Sequence, residues 1–233
     1  MSITLYELAA ADPAIRFSPY VWRTRFCLLH KGLAFDGVPW RFTDKDALAP
    51  TGQGRVPAII DHTHGDRWVH DSWQIARYLD DTYQKRPAIM ATEAERASGR
   101  LTAVWAETVV HGAGFPLILG NLFAHLDPKD KPYFRESREQ RFGRTLEQLT
   151  AEPKAGVAAL QQSLAPAEAA LAVSPFLSGS KPGFADYALA GSLMWIWITS
   201  PVAPLDPNTA VGRWFDTMLD LFDGHARAAK LMR

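Results

Sequence analysis

The hydrophobic pattern of this chain changes its period once, near residue 84. Before that point, strand-like segments that alternate apolar and polar residues take turns with helix-like segments, in the order β-α-β and then β-β-α. After that point only helix-like spacing remains. A chain of this kind forms neither one continuous sheet nor one helical bundle. We therefore expect an α/β domain at residues 1–84 and an all-α domain at residues 92–233.

Local signals mark the ends of elements in the first domain. Ser18 followed by Pro19 has the order of an N-cap and a first helical residue, because proline lacks only an N–H that is unpaired there anyway. Pro57, after Val56, indicates a strand start, a sheet edge or a cis peptide bond, since proline cannot donate to a strand ladder. Asp71 stands just before a helical apolar face and is a candidate N-cap.

The second domain is expected to consist of helices. Residues 91–126 predict one long helix, with a kink at Gly112, Gly114 and Pro116 because a proline inside a helix removes a hydrogen bond. The run 187–198 is almost wholly apolar but shorter than the ~18 residues of a membrane span, so it predicts a buried core helix. Helices are predicted at residues 132–149, 153–173, 184–199 and 212–229.

Composition excludes several classes of function. Lysine plus arginine and aspartate plus glutamate number 25 each among 233 residues, so no net field attracts nucleic acid or an anionic membrane. The single cysteine, Cys27, cannot form an internal disulfide, and the first residues lack the basic and apolar stretches of a signal peptide. We expect a cytoplasmic protein with neither nucleic acid nor a membrane as partner.

Other sequence signals are weaker. Cys27 lies among apolar residues of a helix and is expected to be a buried hydrophobe rather than a reactive thiol. His62 and His64 flank a predicted turn and, with His70, lack the further ligands of a metal site, so no metal is expected. The segment 129–144 mixes basic and acidic residues at helical spacing and is expected to be a solvated face.

Three features of the first domain carry chemistry only in combination. The free backbone groups of Val56 could pair with an extended peptide as an added strand, although a plain strand-entry turn is the better explanation of Val56 and Pro57 when they are taken alone. Asp71 and Ser72 offer a carboxylate, a hydroxyl and free N–H groups at a positive helix end, which suit a peptide's α-amino and α-carboxyl groups. An ordinary N-cap remains the alternative there, as it does at Ser18.

Taken together, these motifs resemble those of the glutathione transferases, whose fold joins a thioredoxin-like βαβ-ββα domain to an all-helical domain. Within that superfamily the chain is most similar to the bacterial β-etherases, which use glutathione to cleave β-aryl ethers derived from lignin. The resemblance covers essentially the whole chain. The motifs are 18–25 (SPYVWRTR), 56–61 (VPAIID), 71–76 (DSWQIA), 184–187 (FADY) and 220–224 (DLFDG).

The resemblance implies roles for the first-domain residues. Ser18 would donate a hydrogen bond to the sulfur of the co-substrate glutathione and hold it as a thiolate, although Tyr20 lies close enough in sequence to be the sulfur's partner instead. The peptide backbone of glutathione would pair with Val56, beside Pro57. The γ-glutamyl end would lie at Asp71 and Ser72, and Arg41 and Gln53 would contact the glycyl end.

The second domain is expected to supply most of an aromatic pocket between the domains. Core packing is the alternative explanation of the same aromatic residues. The expected reaction is thiolate attack on an aromatic electrophile or aryl ether; generic conjugation, isomerisation and a non-catalytic ligand carrier remain open. The resemblance also implies a homodimer. The candidate substrate residues are Tyr20, Trp105, His111, Phe115 and Trp195.

Overall fold

The computed structural model describes residues 3–150 and 153–233, with side chains described from residue 156 onward in the second range. In these ranges the first domain holds four strands, β1 (Ile3–Leu8), β2 (Phe35–Trp40), β3 (Ala58–Asp61) and β4 (Arg67–His70). They form one sheet in the order β2-β1-β3-β4. β1 and β2 are parallel, whereas β3 is antiparallel to both β1 and β4.

Two α-helices, α1 (Pro19–His30) and α2 (Ser72–Thr82), complete the described part of this domain, together with short 3-10 turns at Lys45–Thr51 and His62–His64. The element order is the βαβ-ββα arrangement expected from the sequence. Gly32 ends the first helical segment with a φ of 61°, a left-handed conformation that glycine adopts without steric cost. On β1, Ile3 and Leu5 are fully buried whereas Thr4 and Tyr6 are partly exposed, which is the period-two pattern of a half-buried strand.

The second domain is helical, as expected, and together the two domains give the α/β plus all-α architecture predicted for the chain. Its four longest helices have 13 to 16 residues, and the other helices described are shorter. The helices are α3 (Glu93–Trp105), α4 (His111–His125), α5 (Lys131–Phe142), α6 (Leu146–Leu149), α7 (Pro153–Ser163), α8 (Ala165–Leu171), α9 (Phe184–Thr199) and α10 (Ala210–Gly224).

Several helix boundaries differ from the sequence expectation. The irregularity expected at Gly112–Pro116 is instead a π-helical turn at Ala106–Val110, one turn upstream, and α4 runs on through Pro116. The helix predicted at 132–149 is divided by Gly143, whose φ is 64°. The helix predicted at 153–173 is interrupted beside Pro166, which has no N–H for the preceding turn. The last helix stops regular winding at Leu221.

The helix α9 forms the centre of the molecule and packs against α1 of the first domain. All but one of its residues are buried. A Cβ at Gly191 would lie 2.5 Å from the Pro19 carbonyl oxygen and 2.9 Å from the Arg23 nitrogen, so this close approach of α1 requires glycine. Asp186 fixes the start of α9 by accepting four hydrogen bonds, from the N–H groups of Leu177, Ser178 and Gly183 and from Trp214 Nε1.

One continuous helical run, Glu93–His125, is long and apolar enough by length and composition to cross a membrane, within the residues described. It is longer than the apolar run at 187–198, which lies within α9. Core helices of water-soluble proteins pass the same test, and 44% of the most apolar window is buried inside the protein. In this fold the run packs against α9 and supplies residues to the cavity described below.

Candidate active site

A cavity of about 390 Å³ lies where the two domains meet. The first domain contributes its wall from the start of α1 and from the loop before β3, including Ser18 and Val56. The second domain contributes residues of α4, α5 and α9, including Phe115 and Trp195. A cleft at a domain boundary is a common place for a ligand site.

Ser18 is the N-cap of α1 and lies in the cavity wall. Its Oγ accepts the backbone N–H of Val21 at 3.3 Å, and the residue is 3% exposed. Because the oxygen acts as acceptor in this cap, the hydroxyl proton remains available for donation to a ligand atom. The positive end of the α1 dipole points to the same place, so the site favours a negatively charged atom.

Val56 also lines the cavity, and the Val56–Pro57 peptide bond is cis. Among the described residues, neither the N–H nor the C=O of Val56 has a hydrogen-bond partner. The next carbonyl, that of Pro57, accepts the N–H of Asp71 at 3.2 Å and so ties this loop to the start of α2. The free groups of Val56 therefore form a short unpaired edge beside Ser18 that an extended chain could pair with.

Asp71 and Ser72 stand at the start of α2. Asp71 has φ 68° and ψ 127°, a strained conformation for a residue other than glycine. Its carboxylate accepts the N–H groups of Trp73 and Gln74, at 3.0 and 3.1 Å. Ser72 is 1% exposed. Neither residue lines the cavity itself. The hydrogen bond from the Asp71 N–H to the Pro57 carbonyl places both residues next to Val56, which does line it.

The structure adds two residues that the sequence did not indicate, Arg23 and Glu107. Arg23 is 1% exposed, and its Nη1 donates to Ser72 Oγ at 3.2 Å and to Glu107 Oε1 at 3.0 Å. Its Nε and Nη2 are buried with no partner among the residues described. Because Ser72 Oγ accepts from a buried cation, the Ser72 hydroxyl proton is free to donate elsewhere. Glu107 comes from the π-helical turn, so the second domain reaches the start of α2 through Arg23.

Arg41 does not reach the cavity. Its Nε lies 3.1 Å from Asp127 Oδ2 and its Nη2 donates to the Ala11 carbonyl at 3.3 Å, which commits the guanidinium to the junction between the domains. Gln53 borders a shallower adjoining recess, and its Nε2 donates to the Arg55 carbonyl at 2.8 Å. The basic residues that line both the cavity and this recess are Lys45 and Arg55.

Four of the five predicted substrate residues line the cavity. The ring of His111 lies edge-on to Tyr20 and to Trp195, with centroids 5.9 and 4.9 Å apart, and Phe115 lies edge-on to Trp195 at 5.1 Å. Burial, followed by the negative charge of Glu107, raises the pKa of Tyr20, so its hydroxyl stays protonated. Trp105 is the exception. It is half-buried at the end of α3 and does not line the cavity.

His111 presents a neutral ring to the cavity. Its Nε2 lies 2.9 Å from Ser192 Oγ, and the Ser192 hydroxyl itself donates to the Ala188 carbonyl. The proton of the imidazole is therefore on Nε2, which leaves Nδ1 as an acceptor. Burial, with added repulsion from Arg23 and Arg141, lowers the pKa of His111 to about 3. Near neutral pH this side chain can accept a hydrogen bond but carries no charge.

The other sequence signals give no second site. Cys27 is fully buried, and burial raises the pKa of its thiol. Across residues 3–150 and 153–233 there is no group of three or more histidine, cysteine, aspartate or glutamate residues arranged to hold a metal ion. His62 and His64 instead contact Asp66 and Asp61 around the β3–β4 turn.

Comparisons with known proteins agree with this architecture. The chain matches the family models of the glutathione S-transferase N-terminal domain, over residues 17–82, and C-terminal domain, over residues 100–205. The glutathione S-transferase-like protein ustS of Aspergillus flavus is 32% identical over 206 residues, which cover 77% of this chain and 74% of that protein.

Solved structures share the fold at lower identity. A glutathione S-transferase of Ceriporiopsis subvermispora in complex with glutathione superposes with a TM-score of 0.78 at 24% identity, over 96% of this chain and 97% of the other. The glutathione transferase GSTFuA2 of Phanerochaete chrysosporium superposes with a TM-score of 0.83 at 22% identity, over 96% and 98%. With both domain models matched in order and a relative similar along most of its length, this chain belongs to the glutathione S-transferase superfamily.

Proposed function

We propose that this protein is a glutathione transferase that holds the glutathione thiolate beside Ser18 and directs it at an aromatic electrophile. The observation that carries the proposal is the juxtaposition, in one interdomain cavity, of the capping hydroxyl of Ser18 and the unpaired backbone of Val56. An extended tripeptide paired with Val56 would have its central cysteine close to that hydroxyl. Residues 1–84 would then bind glutathione, and residues 92–233 would supply most of the acceptor site.

The ends of glutathione match the charges around this edge. The γ-glutamyl carboxylate would meet the Ser72 hydroxyl and the Ser72 backbone N–H, and the γ-glutamyl ammonium would meet Asp71. Arg23 Nη1 donates a hydrogen bond to Ser72 Oγ and so fixes the position of the Ser72 side chain. At the glycyl end, Lys45 and Arg55 are better placed than Arg41, and Gln53 lies in the same recess.

Ionisation of the thiol is the chemical task of this half of the site. A free thiol with a pKa of ~8.5 is only about 3% thiolate at pH 7. Lowering that pKa by ~2 units, or roughly 2.7 kcal/mol, makes it about three-quarters ionised. A hydrogen bond from Ser18 and the dipole of α1 act in this direction, since both stabilise the charged form. Tyr20, which keeps its proton, is the competing donor to the sulfur.

For the reaction we propose glutathione-dependent cleavage of a β-aryl ether. The thiolate attacks the β carbon, a C–S bond forms, the C–O bond breaks, and the aryl group leaves as a phenolate with the bonding electron pair. No oxidant or reductant is needed. This finer assignment is supported by the motifs shared with β-etherases and by the aromatic lining of the cavity, formed by Tyr20, Phe115 and Trp195.

Two measurements test the function. Retention on immobilised glutathione tests the binding premise, and release of a fluorescent phenol from a β-aryl ether probe tests the etherase reaction. Conjugation of simple aromatic halides without ether cleavage would favour a generic transferase. Glutathione binding without any thiolate absorbance at neutral pH would favour a ligand carrier and contradict catalysis.

We further propose that the protein is a cytoplasmic homodimer. Leu101, Val104 and Val109 follow one another along α3 and the π-helical turn and are 71%, 39% and 44% exposed. Exposed apolar side chains grouped in this way are typical of a protein interface. Sedimentation should give a mass near twice 25.9 kDa, and Leu101→Glu should shift it toward the monomer. A wild-type protein that sediments as a monomer contradicts the proposal.

A further inference from the structure

The charge of the cavity wall is one-sided. Lys45, Arg55, Arg138 and Arg141 line it, whereas no aspartate or glutamate does so among the described residues. The chain as a whole carries equal numbers of acidic and basic residues. The excess of positive charge is therefore a local property of this wall.

These four cations come from two different places. Lys45 and Arg55 belong to the first domain and border the recess where the glycyl end of glutathione is proposed to lie. Arg138 and Arg141 belong to α5 of the second domain and are three residues apart, so they lie on the same face of that helix. Arg141 lies over Phe115, and Phe115 lies edge-on to Trp195, so this arginine faces the half of the cavity proposed for the other substrate.

Arg138 and Arg141 differ from a third arginine on the same helix, whose guanidinium is paired with carboxylates. Arg135 forms ion pairs with Glu139 and Glu147, both at 2.9 Å. Arg141 has no hydrogen bond or ion pair within residues 3–150 and 153–233. Arg138 Nη1 donates to the Ser137 hydroxyl, and its Nε is buried without a partner in the same ranges. Both members of the pair thus retain donor groups that no protein carboxylate uses.

Aromatic rings hold the two guanidinium groups in place. Arg138 lies over Phe134 at 4.4 Å and over Phe42 at 5.3 Å, and Arg141 lies over Phe115 at 5.2 Å. A guanidinium stacked by its face keeps its edge free, and that edge matches a carboxylate through two parallel hydrogen bonds. Arg138 is partly buried, and a buried cation without a counter-ion is unfavourable, so an anion at Arg138 gains from both effects. Arg141 is exposed and contributes through its free edge alone.

We propose that the acceptor half of the cavity selects aromatic substrates that carry a carboxylate, which Arg138 and Arg141 bind while the ring lies against Phe115 and Trp195. The carboxylate takes no part in the reaction, because the thiolate forms its new bond at a separate carbon. The neutral ring of His111 lies between Tyr20 of α1 and Trp195. It therefore provides no further cation that could bind the carboxylate in place of the arginine pair. This substrate class rests on the proposed glutathione transferase function.

A pair of probe substrates tests the proposal. In 4-chloro-3-nitrobenzoate and its neutral amide, thiolate attack at the chlorine-bearing carbon forms a C–S bond and releases chloride. After correction for the uncatalysed rates, kcat/KM should favour the benzoate about tenfold or more, mainly through KM. Arg138→Gln and Arg141→Gln should each lower that preference about fivefold to tenfold, and the matched Arg135→Gln control should leave it within about twofold.

Equilibrium binding gives a readout independent of turnover. Quenching of tryptophan fluorescence by 3-nitrobenzoate and by 3-nitrobenzamide should show the same preference for the acid, lost in both α5 variants and partly restored by Arg141→Lys. Circular dichroism establishes that each variant is folded. An acid-to-amide ratio unchanged in both Arg→Gln variants, or a wild-type preference for the amide, overturns the proposal.

The proposed function fails in a different way. If glutathione shows no thiolate absorbance in the wild-type protein and neither halide is conjugated, the transferase function is wrong and the substrate class that rests on it is overturned too. If both halides are conjugated with no dependence on Arg138 or Arg141, the transferase stands and only the carboxylate assignment falls.

Discussion

The Oγ of Ser18 accepts the N–H of Val21 at 3.3 Å, so this hydroxyl caps α1 with its oxygen and keeps its proton for the cavity. A cap and a hydrogen-bond donor to a ligand are therefore compatible roles of one side chain. The two roles make different demands on a substitution. The cap needs an oxygen or a flexible backbone at residue 18, whereas the chemistry needs the hydroxyl proton.

Ser18→Gly and Ser18→Ala separate these roles. Loss of the cap should cost about 1 kcal/mol of unfolding free energy in the alanine variant but only a few tenths in the glycine variant. Loss of the hydroxyl should reduce kcat/KM by up to about 25-fold in both, because bound glutathione would fall from about three-quarters thiolate to about 3% thiolate at pH 7. Denaturant unfolding and steady-state kinetics give the two quantities. Activity that tracks stability across the pair would show that the residue is only a cap.

Tyr20→Phe tests the rival donor. The Tyr20 hydroxyl has no hydrogen-bond partner among the residues described, so its removal leaves nothing unpaired in the protein. If Ser18 is the partner of the sulfur, the variant should keep the thiolate absorbance of bound glutathione, and any loss of rate should appear in the step with the second substrate. A thiolate signal abolished by Tyr20→Phe and retained in Ser18→Gly would reverse the assignment.

The ion pair between Arg23 and Glu107 predicts a combined loss of stability and glutathione affinity. In Glu107→Gln the guanidinium of Arg23, which is 1% exposed, loses its counter-ion. The hydrogen bond that Arg23 donates to Ser72 Oγ is then less well fixed in position. Because Glu107 is 29% exposed, water compensates part of the change, and we expect a loss of about 1–3 kcal/mol in unfolding free energy. The KM for glutathione should rise.

Glu93→Gln is the matched control for that variant. Glu93 pairs with Arg96 on the surface of α3 and is 89% exposed, so the change should stay within about 0.5 kcal/mol. Equal effects of the two substitutions would contradict a buried role for Arg23.

His111 predicts a dependence of stability on pH. Its pKa of about 3 in the folded protein lies below the value of 6.5 expected when the chain is unfolded. Between these values the unfolded chain binds a proton that the folded protein does not, so stability is lost as pH falls, by up to about 1.4 kcal/mol per pH unit.

Denaturant unfolding between about pH 6 and pH 4.5 isolates this contribution from the carboxylates. Asp61 shows why the window excludes lower pH. Burial would raise its pKa, but hydrogen bonds from Tyr83, Thr63 and Tyr78 hold it at about 2, so its contribution is lost only in stronger acid. His111→Gln keeps a polar group for Ser192 and should reduce the slope in the window. Part of the slope should remain, because burial also lowers the pKa of His30 and of His225. An unchanged slope would show that His111 is protonated in the folded state.

The sequence predicted those parts of the site that depend on local rules. Ser18 was visible as a cap before a proline, Val56 as the residue before Pro57, and Asp71 as a cap before an apolar helix. Each of these signals depends on backbone chemistry over a few residues, so it does not need the tertiary fold. The element order followed from hydrophobic period for the same reason.

Residues that act through tertiary contacts were missed. Arg23 and Glu107 are 84 positions apart and meet only because α1 packs beside the π-helical turn. Arg138 and Arg141 were assigned to a solvated face, because a basic residue at helical spacing looks the same whether it faces water or a cavity. Trp105 was included as an aromatic on the long helix, but the π-helical turn changes the winding just beyond it.

The central claim is that the Ser18 hydroxyl keeps the bound glutathione sulfur ionised. Its most direct test is the ultraviolet difference absorbance of glutathione bound to the wild-type protein and to Ser18→Gly, titrated with pH. The account predicts a thiolate signal with an apparent pKa ~2 units below that of free glutathione in the wild-type protein, and a return toward ~8.5 in the variant. A titration that is the same in both proteins, or a wild-type signal that appears only above pH 8, would contradict it.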